Sequence, residues 1–362
     1  MADPSSDDRQ VHVDTAAKKG EAVKGEVAAS AGRGAAALAV AKLYFIIAGW
    51  AVYFMLPRIL PAEEWGDYLL ILGLVSIVNN VIVSGTVQSI SRFTARDESV
   101  AAQVRWAGLK MQTLLGWGSA LLFAITGVVL SFWWKDTGLI PLFCVMSLMV
   151  VLYSYYSVFV GSANGTRQFI KQASLDMGYS TLKILLVLGG GYLFVHTGSR
   201  AGVTGALSGL VLTAGTALVA SVFFVGRPNR GEPTQEVRPL LKFAVALFVF
   251  TLLLNLLMRV DLILIKRVGL RLAPAGTEAA TYASELAGRY GTAQVFAFVI
   301  MQVLMSVAFV VFPLISRSTF DEDHETTRLY IRQTMRVALM VGVGLAAVCS
   351  SKAADSIGVV YS

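Results

Sequence analysis

The chain has 362 residues, a formal net charge of +7, 56% hydrophobic residues and only 15% charged residues. Soluble domains carry about 25% charged residues, and no compact soluble core can hide an apolar excess of this size. The basic residues lie between apolar runs and not in one patch, so we exclude nucleic acid as a partner and predict a protein embedded in lipid.

Nine apolar runs follow a polar N-terminal segment. Residues 1–33 contain no aromatic side chain, which predicts a disordered tail that stays cytosolic. A membrane-spanning helix needs about 20 apolar residues. The runs that qualify are 35–56, 68–90, 111–133, 138–161, 179–196, 203–225, 243–265 and 291–315, and a shorter ninth run covers 335–349. They are continuously apolar and do not alternate with polar residues, which predicts helices and not barrel strands.

Lysine and arginine placement predicts the orientation of these helices. With the N-terminus in the cytosol, 21 of the 30 basic residues fall in the tail, in inner loops or at inner helix ends. Inner loops of membrane proteins carry such an excess. The connection between runs seven and eight departs from the rule, because Arg259, Lys266, Arg267, Arg271 and Arg289 surround it on the outer side.

An internal repeat predicts two related lobes. Run two ends in ISRFT (90–94) and run eight in ISRST (315–319), each followed by acidic residues, and transporter folds are commonly built from such repeats. We therefore predict an all-α, polytopic membrane helix bundle of two lobes, with the second lobe incomplete at the C-terminus. The predicted divisions are the tail (1–33), a first six-helix lobe (34–226), a cytosolic linker (227–240) and a partial second lobe of three helices (241–362).

Metal and thiol chemistry is excluded by the same sequence. The two cysteines, Cys144 and Cys349, lie in apolar runs, and His12, His196 and His324 are far apart, so we predict no disulfide framework, no metal site and no cofactor.

The second run carries a winding polar stripe. Ser76, Asn80, Ser84, Gln88 and Arg92 recur at steps of four, with Asn79 beside Asn80. Two interpretations are open: hydrogen bonds between packed helices, or the lining of a water-filled cavity. Adjacent amides are hard to satisfy by packing alone, which favours the cavity for Asn79, Asn80, Gln88 and Arg92.

Three polar residues interrupt the seventh run. Asn255 and Arg259 share a helix face, whereas Asp261 points elsewhere, so Arg259 and Asp261 cannot pair on one helix. Charges inside a membrane usually face a cavity or pair with each other, although Arg259 could instead extend to the outer interface. Gln302 on run eight presents the same choice between packing and cavity.

The first outer loop resembles a known family. The segment LPRILPAEEWGDY (56–68) is similar to the first outer loop of bacterial polysaccharide-biosynthesis flippases, and Ser84-Gly85 and Ser91-Arg92 fit the helix that follows. These are the Wzx-type branch of the multidrug/oligosaccharidyl-lipid/polysaccharide (MOP) exporters, and the resemblance covers about residues 33–350.

The resemblance implies two six-helix lobes around a cavity, and a protein of the bacterial inner membrane that is not an enzyme. Its substrates would be undecaprenyl-diphosphate-linked oligosaccharides, flipped from the inner to the outer leaflet and stabilised by cations at Lys42, Arg58 and Arg259. Other polysaccharide-assembly membrane proteins are the expected protein partners, and coupling to protons or sodium ions stays open.

Three alternatives stay open. A small-molecule or multidrug exporter would share the fold but would favour intramembrane carboxylates, which are few. A membrane glycosyltransferase or polymerase would need paired acidic residues near a sugar site, and Glu63, Glu64 and Asp67 are interpreted as a solvated turn. A membrane scaffold that transports nothing is the third.

Overall fold

The computed structural model describes residues 40–229, 237–320 and 324–351, together with residue 37. The predicted tail (1–33) and part of the predicted linker (230–236) lie outside the described residues.

Helices make up nearly all of the described chain. They are α1 (Val40–Arg58, closing in a 3-10 turn), α2 (Ala62–Arg96), α3 (Ala101–Trp133), α4 (Ile140–Gly165), α5 (Phe169–Phe194), α6 (Ala201–Val225), α7 (Val237–Leu257), α8 (Val260–Leu272), α9 (Ala279–Phe320) and α10 (His324–Ser351). Within the described residues, α1 to α6 are long and apolar enough to cross a membrane. The all-α membrane bundle predicted from the sequence is confirmed.

The predicted seventh helix is wrong as a single element, because α7 and α8 are separated by a turn at Met258 and Arg259. In a continuous helix, residues two positions apart are rotated by about 200° around the helix axis, so they face nearly opposite sides. The break instead allows Arg259 and Asp261 both to contact Gln294 on α9. Hydropathy measures composition over a window, so it does not detect a break that depends on partners in another helix.

The connections between helices define two ends of the bundle. The connections α1–α2, α3–α4, α5–α6 and α8–α9 lie at one end, which we call the distal end; it is the end predicted to face outward. At the opposite, proximal end, the Arg105 guanidinium of α3 donates to Ser162 Oγ on α4 and to the Arg227 carbonyl after α6. The same segment is held by Asn229, whose N–H donates to the Ala102 carbonyl.

Helix α2 is the central element, packed against α4 on one side and against α7 and α9 on the other. Close approach depends on glycine: a Cβ at Gly66 would lie 1.8 Å from the Ser284 carbonyl oxygen of α9. Farther along α2, a Cβ at Gly85 would lie 3.2 Å from the Ala244 carbonyl oxygen of α7. The first bundle (α1–α6) and the second (α7–α10) therefore meet along most of α2.

Candidate functional site

Arg259 lies in the turn between α7 and α8, where the two bundles meet. Its Nη1 donates a 2.9 Å hydrogen bond to Oε1 of Gln294, and its guanidinium carbon lies 4.7 Å from the centroid of the Phe298 ring. Among the described residues, no carboxylate oxygen comes within 4 Å of its nitrogen atoms. Arg259 therefore brings a partly buried positive charge to the interface without a directly paired anion.

The neighbouring Asp261 is held by α9 and by its own helix. Its Oδ2 accepts hydrogen bonds from the Tyr290 hydroxyl (2.5 Å) and from Nε2 of Gln294 (3.0 Å). Its Oδ1 accepts from the Leu262 N–H in the first turn of α8, where a carboxylate is favoured by the helix dipole. Gln294 thus links the two residues, because its Oε1 accepts from Arg259 and its Nε2 donates to Asp261.

A small cavity of about 70 Å³ lies beside Arg259. Its other walls come from four helices: Tyr53 on α1, the stretch of α2 around Gly73 and Ser76, Leu262 on α8, and the face of α9 that carries Gln294 and Phe298. Small-molecule pockets typically measure about 300–1,000 Å³. A ligand that fills a pocket of that volume would enter the Arg259 cavity only if the two bundles moved apart.

The polar stripe of α2 divides between two surroundings. Nδ2 of Asn80 donates to Oδ1 of Asn255 on α7 over 2.8 Å, which joins the bundles. Asn79, which we expected beside it in a cavity, is buried against α4 with its amide 3.7 Å from Sδ of Met149. Adjacent residues of a helix point about 100° apart. Asn79 therefore lies between α2 and α4 within the first bundle, whereas Asn80 lies at the interface between the two bundles. Gln88 and Arg92 are exposed farther toward the proximal end.

The other candidates lie away from Arg259. Lys42 is exposed on α1 and pairs with Asp176 on α5 over 2.7 Å. Arg58, at the distal end of α1, is exposed and donates to the carbonyl of Phe54. Gln302 lies on α9, but its side chain is outside the described part. The structure therefore brings together Asn80 with Asn255, and Arg259 with Asp261, and not the whole predicted set.

A buried ionic cluster at the distal end was missed by the sequence analysis. Nζ of Lys266, which is fully buried on α8, lies 3.0 Å from Asp67 on α2, 3.1 Å from Asp136 before α4 and 2.9 Å from Ser284 on α9. Arg200, before α6, pairs with both carboxylates, at 2.5 Å from Asp136 and 3.1 Å from Asp67. We call these five residues the distal cluster.

The acidic first loop is therefore not a solvated turn, which corrects the sequence interpretation. Asp67 and Glu64 are buried, and Glu64 accepts the Val203 N–H in the first turn of α6 over 2.6 Å. Glu63 stays partly exposed and pairs with Arg200 at 3.3 Å. Residues spaced as Glu64 and Asp67 face the same side of a helix, and this spacing was the available sign that they share an interface.

Charge within the distal cluster favours the ionised form of Asp136. Burial by itself would raise the pKa of Asp136, but hydrogen bonds from Arg200 and the positive charge of Lys266 outweigh burial and lower this pKa below its ordinary value. Arg200 itself adopts a left-handed backbone conformation with φ of 58°, which is disfavoured by about 1–2 kcal/mol for residues other than glycine. Its three acidic partners offset that strain.

Comparison with known proteins identifies the family. The profile of a family described as polysaccharide biosynthesis proteins matches residues 31–319. No curated protein matches the chain.

Several solved structures share the fold. An outward-facing multidrug-resistance MATE transporter of the MOP superfamily has a TM-score of 0.57 at 15% identity, covering 90% of this chain and 77% of its own. The inward-facing conformation of such a transporter gives 0.58 at 16% identity, with 86% and 72% covered. A MOP superfamily transporter from Pyrococcus furiosus gives 0.53 at 14% identity, with 92% and 75% covered.

These similarities agree with the resemblance seen in the first outer loop and with the helical membrane bundle. The chain belongs to the polysaccharide biosynthesis protein family, and it is a multi-pass membrane protein with the fold of MOP superfamily transporters.

Proposed function

We propose that this transporter flips undecaprenyl-diphosphate-linked oligosaccharides from the inner to the outer leaflet of the bacterial inner membrane. The observation that carries the proposal is the environment of Arg259. This cation lies at the interface of the two bundles and contacts a neutral amide and an aromatic ring. A partly buried cation without a directly paired carboxylate favours an anionic ligand. A diphosphate supplies such a charge.

The surroundings of Arg259 suit a diphosphate attached to sugars. Tyr53 and Phe298 line the same cavity, and their rings offer flat apolar faces beside a polar amide. The cavity is too small for the whole substrate, so binding requires the bundles to separate along α2. In this proposal the N-terminus is cytosolic, as the lysine and arginine placement predicts, and proton or sodium coupling would drive the separation.

The experiment measures flipping of a fluorescent polyprenyl-diphosphate sugar in proteoliposomes. Loss of a charge-assisted hydrogen bond is worth about 1.5–3 kcal/mol, so Arg259→Gln should slow flipping roughly 10- to 100-fold, while Arg259→Lys should retain part of the rate. The matched control is Arg271→Gln, because Arg271 is an exposed cation of α8 away from the Arg259 cavity. Flipping at the original rate by Arg259→Gln would contradict the proposal.

Export of small molecules is a second candidate. The solved neighbours include multidrug-resistance transporters, although at about 15% identity they establish the fold alone. The aromatic rings beside Arg259 would also suit an organic ligand once the bundles have separated. The same proteoliposomes loaded with a cationic dye separate the candidates: dye transport without lipid flipping would favour the exporter.

A further inference from the structure

We propose that Lys266 is the gating residue of the distal end, holding the two bundles closed through Asp67 and Asp136 and releasing them when the transporter opens on that side. The inference rests on the transporter fold and does not depend on which substrate is carried.

The cluster is divided between the bundles in an asymmetric way. Asp67, Asp136 and Arg200 all belong to the first bundle, whereas Lys266 and Ser284 belong to the second. The polar contacts that cross within the cluster are therefore Lys266 with Asp67, Lys266 with Asp136, and the Ser284 hydroxyl donating to Asp67 over 2.8 Å. The bundles separate at this point if those contacts break.

The first bundle retains one cation, Arg200, beside both buried carboxylates after such a separation. Two nitrogen atoms of Arg200 contact Asp136, at 2.5 and 2.9 Å, and its Nε lies 3.1 Å from Asp67. Both carboxylates would keep a cationic partner, and water entering the distal end would solvate Lys266. A buried pair is strongly destabilising to break when it leaves an unpaired buried charge. Here Arg200 and the entering water would offset part of that cost, as a contact that opens and closes requires.

The cluster also lies where a gate is required. Lys266 is one turn beyond Leu262 on α8, and Leu262 lines the Arg259 cavity. Asp67 is six residues from Gly73 on α2, about 9 Å at the helical rise, and Gly73 lines the same cavity. Ser284 lies two turns from Gly291, the cavity residue of α9. The cluster therefore covers the distal side of the cavity on all three helices.

The surrounding packing makes the closed state tight. Trp65 donates from Nε1 to Oγ1 of Thr292 over 3.0 Å, in a buried position between α2 and α9. Nζ of Lys266 lies 5.7 Å from the centroid of the Trp134 ring, which excludes water from the ammonium in the closed state. With little competing solvent, the three crossing contacts of the cluster and the Trp65–Thr292 bond together hold the distal side closed.

The test measures access to a cysteine placed beneath the cluster. Ser76→Cys introduces a thiol that lines the cavity, in a background with Cys144→Ser and Cys349→Ser. A membrane-impermeant maleimide is added from one side of the membrane at a time, and mass spectrometry follows modification of the peptide that contains residue 76. We expect Lys266→Met to accelerate labelling at least 10-fold from the distal side, with Ser284→Ala intermediate.

The matched control is Arg271→Met, an exposed cation near the end of the same helix. It should label at the rate of the background. A disulfide then distinguishes gate opening from misfolding. A Cβ at Gly291 would lie 3.3 Å from Cβ of Leu69, close to the spacing of about 3.5–4.5 Å in disulfides. Oxidising a Leu69→Cys/Gly291→Cys pair in the Lys266→Met protein should return labelling to the background rate.

Either of two results would overturn the proposal. Labelling of Lys266→Met and Ser284→Ala at the background rate would mean that the cluster does not control distal access. Fast labelling that persists after the disulfide has formed would mean that the substitution disrupts the fold instead of opening a gate. Because labelling requires no substrate, failure here is distinct from failure of the flipping experiment.

Discussion

Asn80 of α2 donates from Nδ2 to Oδ1 of Asn255 of α7 over 2.8 Å. The bond lies between two stretches where the bundles pack closely, at Gly66 toward the distal end and at Gly85 toward the proximal end. The bundles are therefore in contact on both sides of the Arg259 cavity, and a transport cycle must break these contacts in turn.

The asparagine bond should contribute a small, measurable coupling between the bundles. Hydrogen bonds between membrane helices average about 0.6 kcal/mol in double-mutant cycles, so we expect a coupling of that size between Asn80→Ala and Asn255→Ala. Unfolding in mixed detergent micelles measures it. Pairing Asn80→Ala with Thr216→Ala, whose hydroxyl donates to the Leu212 carbonyl within α6, should give no coupling. Equal coupling in both cycles would show that the effect is not specific to the bond.

Gly66 should tolerate no side chain. A Cβ there would lie 1.8 Å from the Ser284 carbonyl oxygen, and backbone cannot yield as a flexible side chain does. Overpacking of this kind costs about 1–3 kcal/mol, so Gly66→Ala should lower the Tm in detergent and accelerate distal labelling of Ser76→Cys. Gly118→Ala is the matched control, because a Cβ at Gly118 meets nothing within 4 Å. Similar Tm losses in both variants would contradict the close-approach explanation.

Acid should weaken the contribution of Asp136 only at low pH. Its pKa is lowered in the folded protein, so its stabilising effect is complete above the ordinary pKa of about 3.9 and is lost as the pH falls through the lower, folded value. The Tm difference between the natural protein and Asp136→Asn should stay constant from about pH 8 to 5 and shrink below about pH 4. Glu63, Asp67, Arg200 and Lys266 face Asp136 and are present in both proteins. A difference that already shrinks near pH 7 would contradict this assignment.

Sequence periodicity and charge placement predicted the fold class because lipid imposes a strong, local requirement. Each of α1 to α6 contains an apolar stretch long enough to cross a bilayer, and that property is visible in a local window of the sequence. The break at Arg259 was not predicted, since it depends on Gln294 and Tyr290 in a helix that follows about thirty residues later.

The distal cluster was also not predicted, because its residues come from distant parts of the sequence. Asp67 and Lys266 are 199 residues apart. Asp136 and Arg200 lie in short connections whose polar residues are typical of ordinary turns. The excess of basic residues near Lys266 was visible in the sequence, but the partners that explain it were not. Burial of Asp67 and Lys266 follows from packing of α2 against α8 and α9, which no single segment encodes.

A disulfide at the proximal end should stop transport without disturbing the distal cluster. A Cβ at Gly85 would lie 3.7 Å from Cβ of Ala244, within the usual range for a disulfide, so Gly85→Cys/Ala244→Cys should oxidise readily in the background without native cysteines. If opening toward the proximal side requires α2 and α7 to separate, oxidation should abolish flipping, and reduction should restore it. Distal labelling of Ser76→Cys in the Lys266→Met protein should remain fast after oxidation, because the bond leaves α8 and α9 free to move. Undiminished flipping by the oxidised protein would mean that substrate passes without separation of α2 from α7.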